Sequence, residues 1–259
     1  MSTELLPEWA TLIRCDNPGP MTLEGTNTYL LDTGDGTVLV VDPGPLDEDH
    51  LARVADNRAV AFTLLTHGHP DHAEGAGRFA ALAGCDVYAR DPRHRVGEQG
   101  PELADEERLR VGALTVEVLL TPGHTSDSVC FVVRRGADKG GLLLTGDTIL
   151  GRGTTVVAYP DGRLGPYLDS LSRLAVLGRL VLGPGHGPVG PDARAVARDY
   201  LRHRSERLDQ VRAALGAGDT SVGEVVARVY ADVDPSLWPA AALSVQAQLD
   251  YLAERGEGI

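Results

Sequence analysis

Cysteine is scarce in this chain of 259 residues: Cys15, Cys85 and Cys130 are its only thiols, and they stand far apart. They can form neither a disulfide framework nor a cysteine-based zinc knuckle, and so small a number suits a reducing cytosol. Lysine is scarcer still, with Lys139 alone among the 24 basic residues, which reads as the codon bias of a GC-rich genome and carries no functional meaning. Long apolar runs are also missing. The longest, such as 38–41 and 141–144, fall far short of the ~18–20 residues that cross a bilayer, so no membrane span is expected. Residues 1–12 hold Glu4 and Glu8 but no Lys or Arg, so the positive start of a signal peptide is lacking and a cytoplasmic location is expected. Positive charge is short overall: 24 basic residues against 37 acidic ones leave a net charge of -13. Such a field repels phosphate backbones unless basic groups cluster locally, which disfavours general nucleic-acid binding.

What is present is ordinary for a globular protein, with 42% apolar and 24% charged residues, and the length suits one large domain or a large one with a small companion. Residues 27–31 and 37–41 are β-rich runs separated by an Asp-Gly, a strong hairpin signal. A helix is expected over 46–56, a buried strand over 60–66, a helix over 72–83 and a short strand over 86–89. Alternating strands follow at 114–120 and 128–133, then strands at 142–145 and 179–182 with a helix at 167–177 between them. Beyond Pro191 the pattern turns helical, over 193–215, 221–230 and 236–254, the second opening on Ser221 with Glu224 three residues on, as in a capping box. The expected organisation is therefore an α+β domain over 1–192 and a small helical domain over 193–259.

Eight histidines are present, and three of them fall in His67-Gly-His-Pro-Asp-His72, directly after the expected buried strand. That turn would project His67, His69, Asp71 and His72 from the sheet edge toward one point. His124 in Pro-Gly-His124-Thr, Asp147 in Thr-Gly-Asp147 and His186 in Pro-Gly-His186-Gly also follow β runs and are flanked by glycine or proline. One such residue is ordinarily a turn cap or a hydrogen-bonding partner. A set of seven in one recurring context has a different meaning. Imidazole and carboxylate suit zinc, iron or manganese, and seven ligands exceed what one tetrahedral ion needs. With one carboxylate bridging, they serve two adjacent ions that share and activate a water, as a hydrolase requires.

In this order and separation, His67-Gly-His-Pro-Asp-His72, His124, Asp147 and His186 resemble the metallo-β-lactamase superfamily over about residues 10–190. The resemblance implies an αββα sandwich with its metals at one edge of two packed sheets. It also implies a first metal on His67, His69 and His124, a second on Asp71, His72 and His186, Asp147 bridging them, and Asp71 orienting the attacking hydroxide as the catalytic carboxylate. His69 stands where the oxygen-reducing di-iron branch has glutamate, which favours hydrolysis, although a mono-iron sulfur dioxygenase branch keeps the same histidines. Residues 17–31 and 151–160, with 204–208, 220–230 and 240–252, are similar to the group that contains beta-lactamase-like protein 2, a zinc-dependent endoribonuclease of mitochondria, and its small winged-helix-type tail. That group also includes thioesterases acting on carrier-bound polyketides. The cofactors implied are two zinc ions, with iron or manganese as alternatives.

Charge bears on the substrate. The expected third helix of the tail has no Arg or Lys and carries Asp250 and Glu254, so a sequence-specific DNA reader is rejected. Arg194, Arg198 and Arg202 share a helix face, with Arg204, Arg207 and Arg212 nearby, and such a stripe would meet single-stranded RNA unless it is a solvated or locally paired face. Arg90, Arg93, His94 and Arg95 form a second small basic group. The function expected is a binuclear zinc hydrolase, an endoribonuclease on single-stranded RNA or, alternatively, a thioesterase or ester hydrolase on small or carrier-bound acyl substrates. A β-lactamase is the least attractive hydrolase reading, because that activity is useful outside the inner membrane. Asn27, Thr154, Thr155 and Tyr159 are candidates to line the substrate pocket, whereas His50, His94 and His203 are read as structural or surface residues.

Overall fold

The computed structural model describes residues 3–97, 102–136 and 140–257; Lys139 lies outside them. The first half runs β1 (Ala10–Arg14), β2 (Asn27–Asp32), β3 (Thr37–Val41), α1 (Glu48–Ala55), β4 (Ala59–Leu64), α2 (Pro70–Ala73), α3 (Ala76–Ala83) and β5 (Val87–Tyr88). The second continues with β6 (Arg108–Val111), β7 (Leu114–Leu120), β8 (Val129–Arg135), β9 (Leu142–Gly146), α4 (Leu164–Leu174) and β10 (Val181–Pro184). The chain then enters α5 (Ala193–Gly216), α6 (Val222–Val229) and α7 (Trp238–Glu254).

Two five-stranded sheets form, in the orders β1-β2-β3-β4-β5 and β10-β9-β8-β7-β6. The first is antiparallel to β3 and parallel beyond it, while the second is antiparallel except for β9 and β10. Residue alternation explains the layering. Tyr29, Leu31, Leu39 and Val41 of one sheet meet Phe131, Val133, Leu142 and Leu144 of the other in a shared apolar core. Their neighbours Leu30 and Val40 point outward and pack under Leu51, Val54 and Phe79 of α1 and α3. On the far side Cys130, Val132 and Leu143 pack against Tyr167, Leu171 and Leu174 of α4 and against Ala197, Tyr200 and Leu208 of α5. Helices thus cover both outer faces of two packed sheets, the expected α+β sandwich.

Several expected elements shift for identifiable reasons. The single helix expected over 72–83 is two, because Pro70 starts α2 early and Gly75 follows it; a Cβ at Gly75 would come within 2.5 Å of the Pro45 carbonyl oxygen. Helix α4 begins at Leu164 instead of 167, since Pro166 in its first turn has no donor to lose. Strands β1 and β6, unexpected from the sequence, are short edge strands with outward arginines, and their solvated faces hide the apolar alternation. The capping box of α6 is present, with Ser221 and Glu224 as expected.

Candidate metal centre

The functional side chains leave the same ends of β3, β4, β7, β9 and β10. Backbone bonds tie the two sheets together at this edge: Val129 N–H donates to the Thr66 carbonyl and Asn27 N–H to the Gly185 carbonyl. Two groups of ligating atoms result, His67, His69, His124 and Asp147 in one and Asp71, His72 and His186 in the other, the atoms of each group lying within 4.8 Å of one another. In the first, His69 Nδ1 stands 3.0 Å from His67 Nε2 and 3.1 Å from His124 Nε2. In the second, His72 Nε2 stands 3.2 Å from His186 Nε2, and Asp71 Oδ2 is 3.0 Å from His186 Nε2. Asp147 lies between them: its Oδ1 is 3.4 Å from both His72 Nε2 and His186 Nε2, and its Oδ2 is 3.7 Å from His124 Nε2.

The outward ring nitrogens are held by acceptors, which determines which nitrogen faces inward. His124 Nδ1–H donates to the Val156 carbonyl at 2.9 Å and His186 Nδ1–H to the Gly25 carbonyl at 3.3 Å. His72 Nδ1–H donates to Asp42 Oδ2 at 2.8 Å. His67 Nδ1–H donates to Thr66 Oγ1 at 3.0 Å, and that hydroxyl in turn donates to Asp42 Oδ2 at 2.7 Å. Four Nε2 atoms therefore converge on the centre, and the pair 3.2 Å apart repels as bare lone pairs unless a proton or a metal ion sits there. Asp147 Oδ1 is buried without a hydrogen-bond partner. The donor set fits metal ions, and the cradle is tight: a Cβ at Gly185 would stand 2.6 Å from Asp147 Oδ1.

Electrostatics point the same way. Burial pushes Asp71 up, but the His186 hydrogen bond and the charge of His72 outweigh it and hold the carboxyl at about 2. Burial opposes ionisation of Asp147 too, yet His72 and His186 keep it well below the usual carboxylate range. Burial lowers His72, while Asp147 and Asp42 more than reverse this and hold it well above the ordinary imidazole value. His186 behaves likewise, held at about 9 by Asp147 and Asp71 against burial. Burial keeps His67 and His124 low and neutral. The centre is a buried region of negative potential that attracts protons or metal ions.

All seven residues expected as ligands meet here; the four expected to line a pocket do not stay together. A chamber of about 100 Å³ opens beside His124 and Asp147, with Thr154 and Thr155 in its wall. Thr155 Oγ1 also donates to the Asp147 carbonyl at 2.7 Å, which steadies the strand end. Asn27 is buried and gives its amide to the Pro184 and Gly187 carbonyls, both at 2.9 Å, so it clamps the His186 turn and does not line the chamber. Tyr159 lies beside Arg163 and Tyr251 at the junction with α7, outside the chamber wall. Sequence reasoning missed Asp42, although it carries the same signal as the ligands: it directly follows β3 and precedes Pro43-Gly44.

Fold and site together define a metal-dependent hydrolase. The chain belongs to the metallo-beta-lactamase superfamily, whose model matches residues 21–186, and the beta-lactamase associated winged helix domain matches residues 221–257. It is 34% identical to a lactamase-like protein, aptB, of Emericella nidulans, over 92% of this chain and 79% of that one. It is 32% identical to the beta-lactamase-like protein 2 homolog of Drosophila melanogaster, over 98% and 91% of the two chains. It is also 34% identical to the atrochrysone carboxyl ACP thioesterase of Aspergillus chevalieri, over 84% and 71%. Among solved structures, a metallo-beta-lactamase family protein from Thermus thermophilus superposes with a TM-score of 0.77 at 28% identity, covering 97% of this chain and 95% of that one.

Proposed function

We propose that this protein is a binuclear zinc-dependent hydrolase that cleaves thioesters or esters of small or carrier-bound acyl groups. His67, His69 and His124 would hold one ion and Asp71, His72 and His186 the other, with Asp147 standing between the two groups. When bound, such ions supply Lewis acidity and lower the pKa of water toward neutrality. Asp71 is the catalytic carboxylate: Thr26 Oγ1 donates to its Oδ2 at 3.3 Å, which fixes its direction. A carboxyl held at about 2 stays ionised, so it accepts a hydrogen bond from the attacking water and orients it. The water oxygen bonds to the acyl carbon as the carbon–sulfur or carbon–oxygen bond breaks. One water proton ends on the leaving atom and the other is released from the acid product.

The observation that carries the acyl reading is the chamber wall beside His124 and Asp147, where Met21, Leu23, Leu150 and Val156 give an apolar surface suited to an acyl group. The similarity to a protein named as an ACP thioesterase supports it. The RNA reading ranks second, because four of the six arginines that recommended it, Arg194, Arg198, Arg202 and Arg212, are engaged locally. Arg194 pairs with Asp192, Arg202 with Asp199 and Arg212 with Asp209 and Glu257, and Arg198 donates to the Ala175 carbonyl. In the second basic group Arg90 pairs with Glu102, Arg93 with Asp91, and Arg95 with Glu102.

Zinc-loaded protein incubated with an acyl-thioester panel and with single-stranded RNA separates the two readings. Thioester turnover that falls about a hundredfold or more in Asp147→Ala, with the RNA left intact, is expected. Cleavage of RNA alone would overturn the acyl assignment, and activity untouched by Asp147→Ala would overturn the site.

A further inference from the structure

A second cavity, of about 290 Å³, lies behind the chamber at the metal centre. The two share Met21, Thr154, Thr155 and Val156, so the larger one continues away from His124 and Asp147 toward the C-terminal helices. Its far side is apolar, with Tyr230 and Val233 just beyond α6, Leu237 of the turn at Pro235–Leu237 and Ala240 of α7. Its other side is α5, which contributes His203, Arg204 and Arg207.

These two arginines differ from the others on α5. Among the described residues neither is within ion-pair distance of a carboxylate, whereas Arg194, Arg202 and Arg212 each have an acidic partner. No acidic residue lines the cavity, in a chain whose net charge is -13. Both guanidinium groups are nonetheless fixed. Arg204 is 7% exposed, donates through Nη2 to the Thr155 carbonyl and lies 5.2 Å from the Tyr167 ring centre. Arg207 donates through Nη1 to the Val229 carbonyl at 2.8 Å and lies 4.3 Å over the Tyr230 ring. Arg204 Nε and His203 Nδ1 are buried with no hydrogen-bond partner. Of the two, Arg204 Nε–H is a donor whatever the tautomer of His203, and an unpartnered buried donor costs free energy. A buried cation without a counter-ion invites an anion.

We propose that this cavity is a substrate subsite for an anionic group on an apolar stem, bound by Arg204 and Arg207 while the scissile carbonyl lies at the metal centre. The inference rests on the acyl-hydrolase reading for the position of that carbonyl. The shared chemistry is an anion reached through an apolar linker. It would come either from a carboxylate at the end of the acyl group or from a phosphate on the thiol arm. Arg207 is a specificity residue here, and the apolar wall sets the length of the stem.

Binding and turnover are measured on the metal-loaded protein. Calorimetric titration with 4-phenylbutyrate is expected to give an affinity that falls about tenfold in Arg207→Gln and recovers partly in Arg207→Lys. Ala240→Phe, which fills the cavity and leaves both arginines in place, is expected to weaken binding as well. Affinity unchanged in Arg207→Gln and Ala240→Phe would locate the probe on the metals and overturn the subsite. Three thioesters then distinguish the anion's source: hexanoyl N-acetylcysteamine, adipoyl N-acetylcysteamine and hexanoyl 4′-phosphopantetheine. Preference for the second over the first assigns the acyl carboxylate and preference for the third assigns the phosphate, each collapsing in Arg207→Gln. Equal kcat/KM for all three would contradict the proposal. If none is hydrolysed, the acyl-hydrolase reading fails, and the titration still decides the subsite by itself.

Discussion

Asp42 shows how much of the centre is set by residues that are not themselves among the candidate metal ligands. Its Oδ2 accepts from both His72 Nδ1 and Thr66 Oγ1, and its Oδ1 accepts from Thr66 N–H at 2.8 Å, so one carboxylate steers a histidine of each group. It does this from a left-handed backbone position, φ 53°, which few residues other than Asn, Asp and Gly adopt readily. Asp42→Asn keeps the shape but loses the charge behind His72, and a metal-competition titration should show affinity at the Asp71, His72 and His186 site lowered about 10–100-fold. Wild-type affinity would mean that the orientation of His72 is set elsewhere. His50 offers a stability prediction free of the metal set. It is fully buried against Thr28 Oγ1, 2.9 Å from its Nε2. Burial, with Arg53 nearby, lowers its pKa from 6.5 to about 4. The unfolded chain therefore binds more protons between pH 4 and 6.5, and stability rises with pH across that window. The contribution is complete above pH 6.5 and is lost as the pH falls toward 4, a change on the order of 3 kcal/mol. Denaturant midpoints measured across this range should vary less with pH in His50→Gln than in wild type; equal slopes would contradict it.

At the scale of elements, the ligands lie where strands end and glycine or proline turns begin, and this is why the site was legible before the fold was. Five of the seven metal-set positions, His69, Asp71, His124, Asp147 and His186, share one local grammar, a glycine or proline just before the His or Asp in the turn after a strand, and His67 and His72 complete the first of these turns. Position along the strand also determines which side chains reach the edge. The pocket residues share no such grammar. Whether a threonine or asparagine faces a cavity depends on which loop lies across it, and Asn27 turned inward because the His186 turn offered two carbonyls to its amide. Edge strands β1 and β6 were hidden for a related reason, since half of each faces water. The C-terminal helices were readable from their caps. In α6 Ser221 accepts from Glu224 N–H while Glu224 accepts from Ser221 N–H at 2.9 Å. Ser221→Ala should lower the unfolding free energy by about 1 kcal/mol, seen as a shifted denaturation midpoint, and leave metal content unchanged. An unaltered midpoint would show that tertiary packing alone holds α6.

For the whole molecule, we propose a boundary at 192/193 that separates roles without separating folding units. Helix α5 packs on α4, and one apolar cluster runs from Leu119, Cys130 and Leu143 of the sheet through Tyr167 and Leu171 to Leu208, Val211, Val225, Val245 and Leu252. A shared core of this kind unfolds cooperatively. Scanning calorimetry should show one transition, and a chain ending at residue 192 should be insoluble; two separate transitions would divide the molecule in the way the sequence alone suggests. No helix among the described residues is long and apolar enough to cross a membrane. The net charge of -13 is carried mostly by the sandwich, since residues 193–259 hold 8 basic against 10 acidic residues. Two bound metals would add about +4 of formal charge at one edge, so a group approaching a negative protein would meet a local positive field there.

We propose that two metal ions sit at this edge on a defined set of seven side chains. Anomalous diffraction from crystals of the protein, recorded on both sides of the zinc absorption edge, tests it directly. Two peaks per chain are expected, one among His67, His69 and His124 and the other among Asp71, His72 and His186, with Asp147 between them. A single peak, or peaks away from these residues, would contradict it.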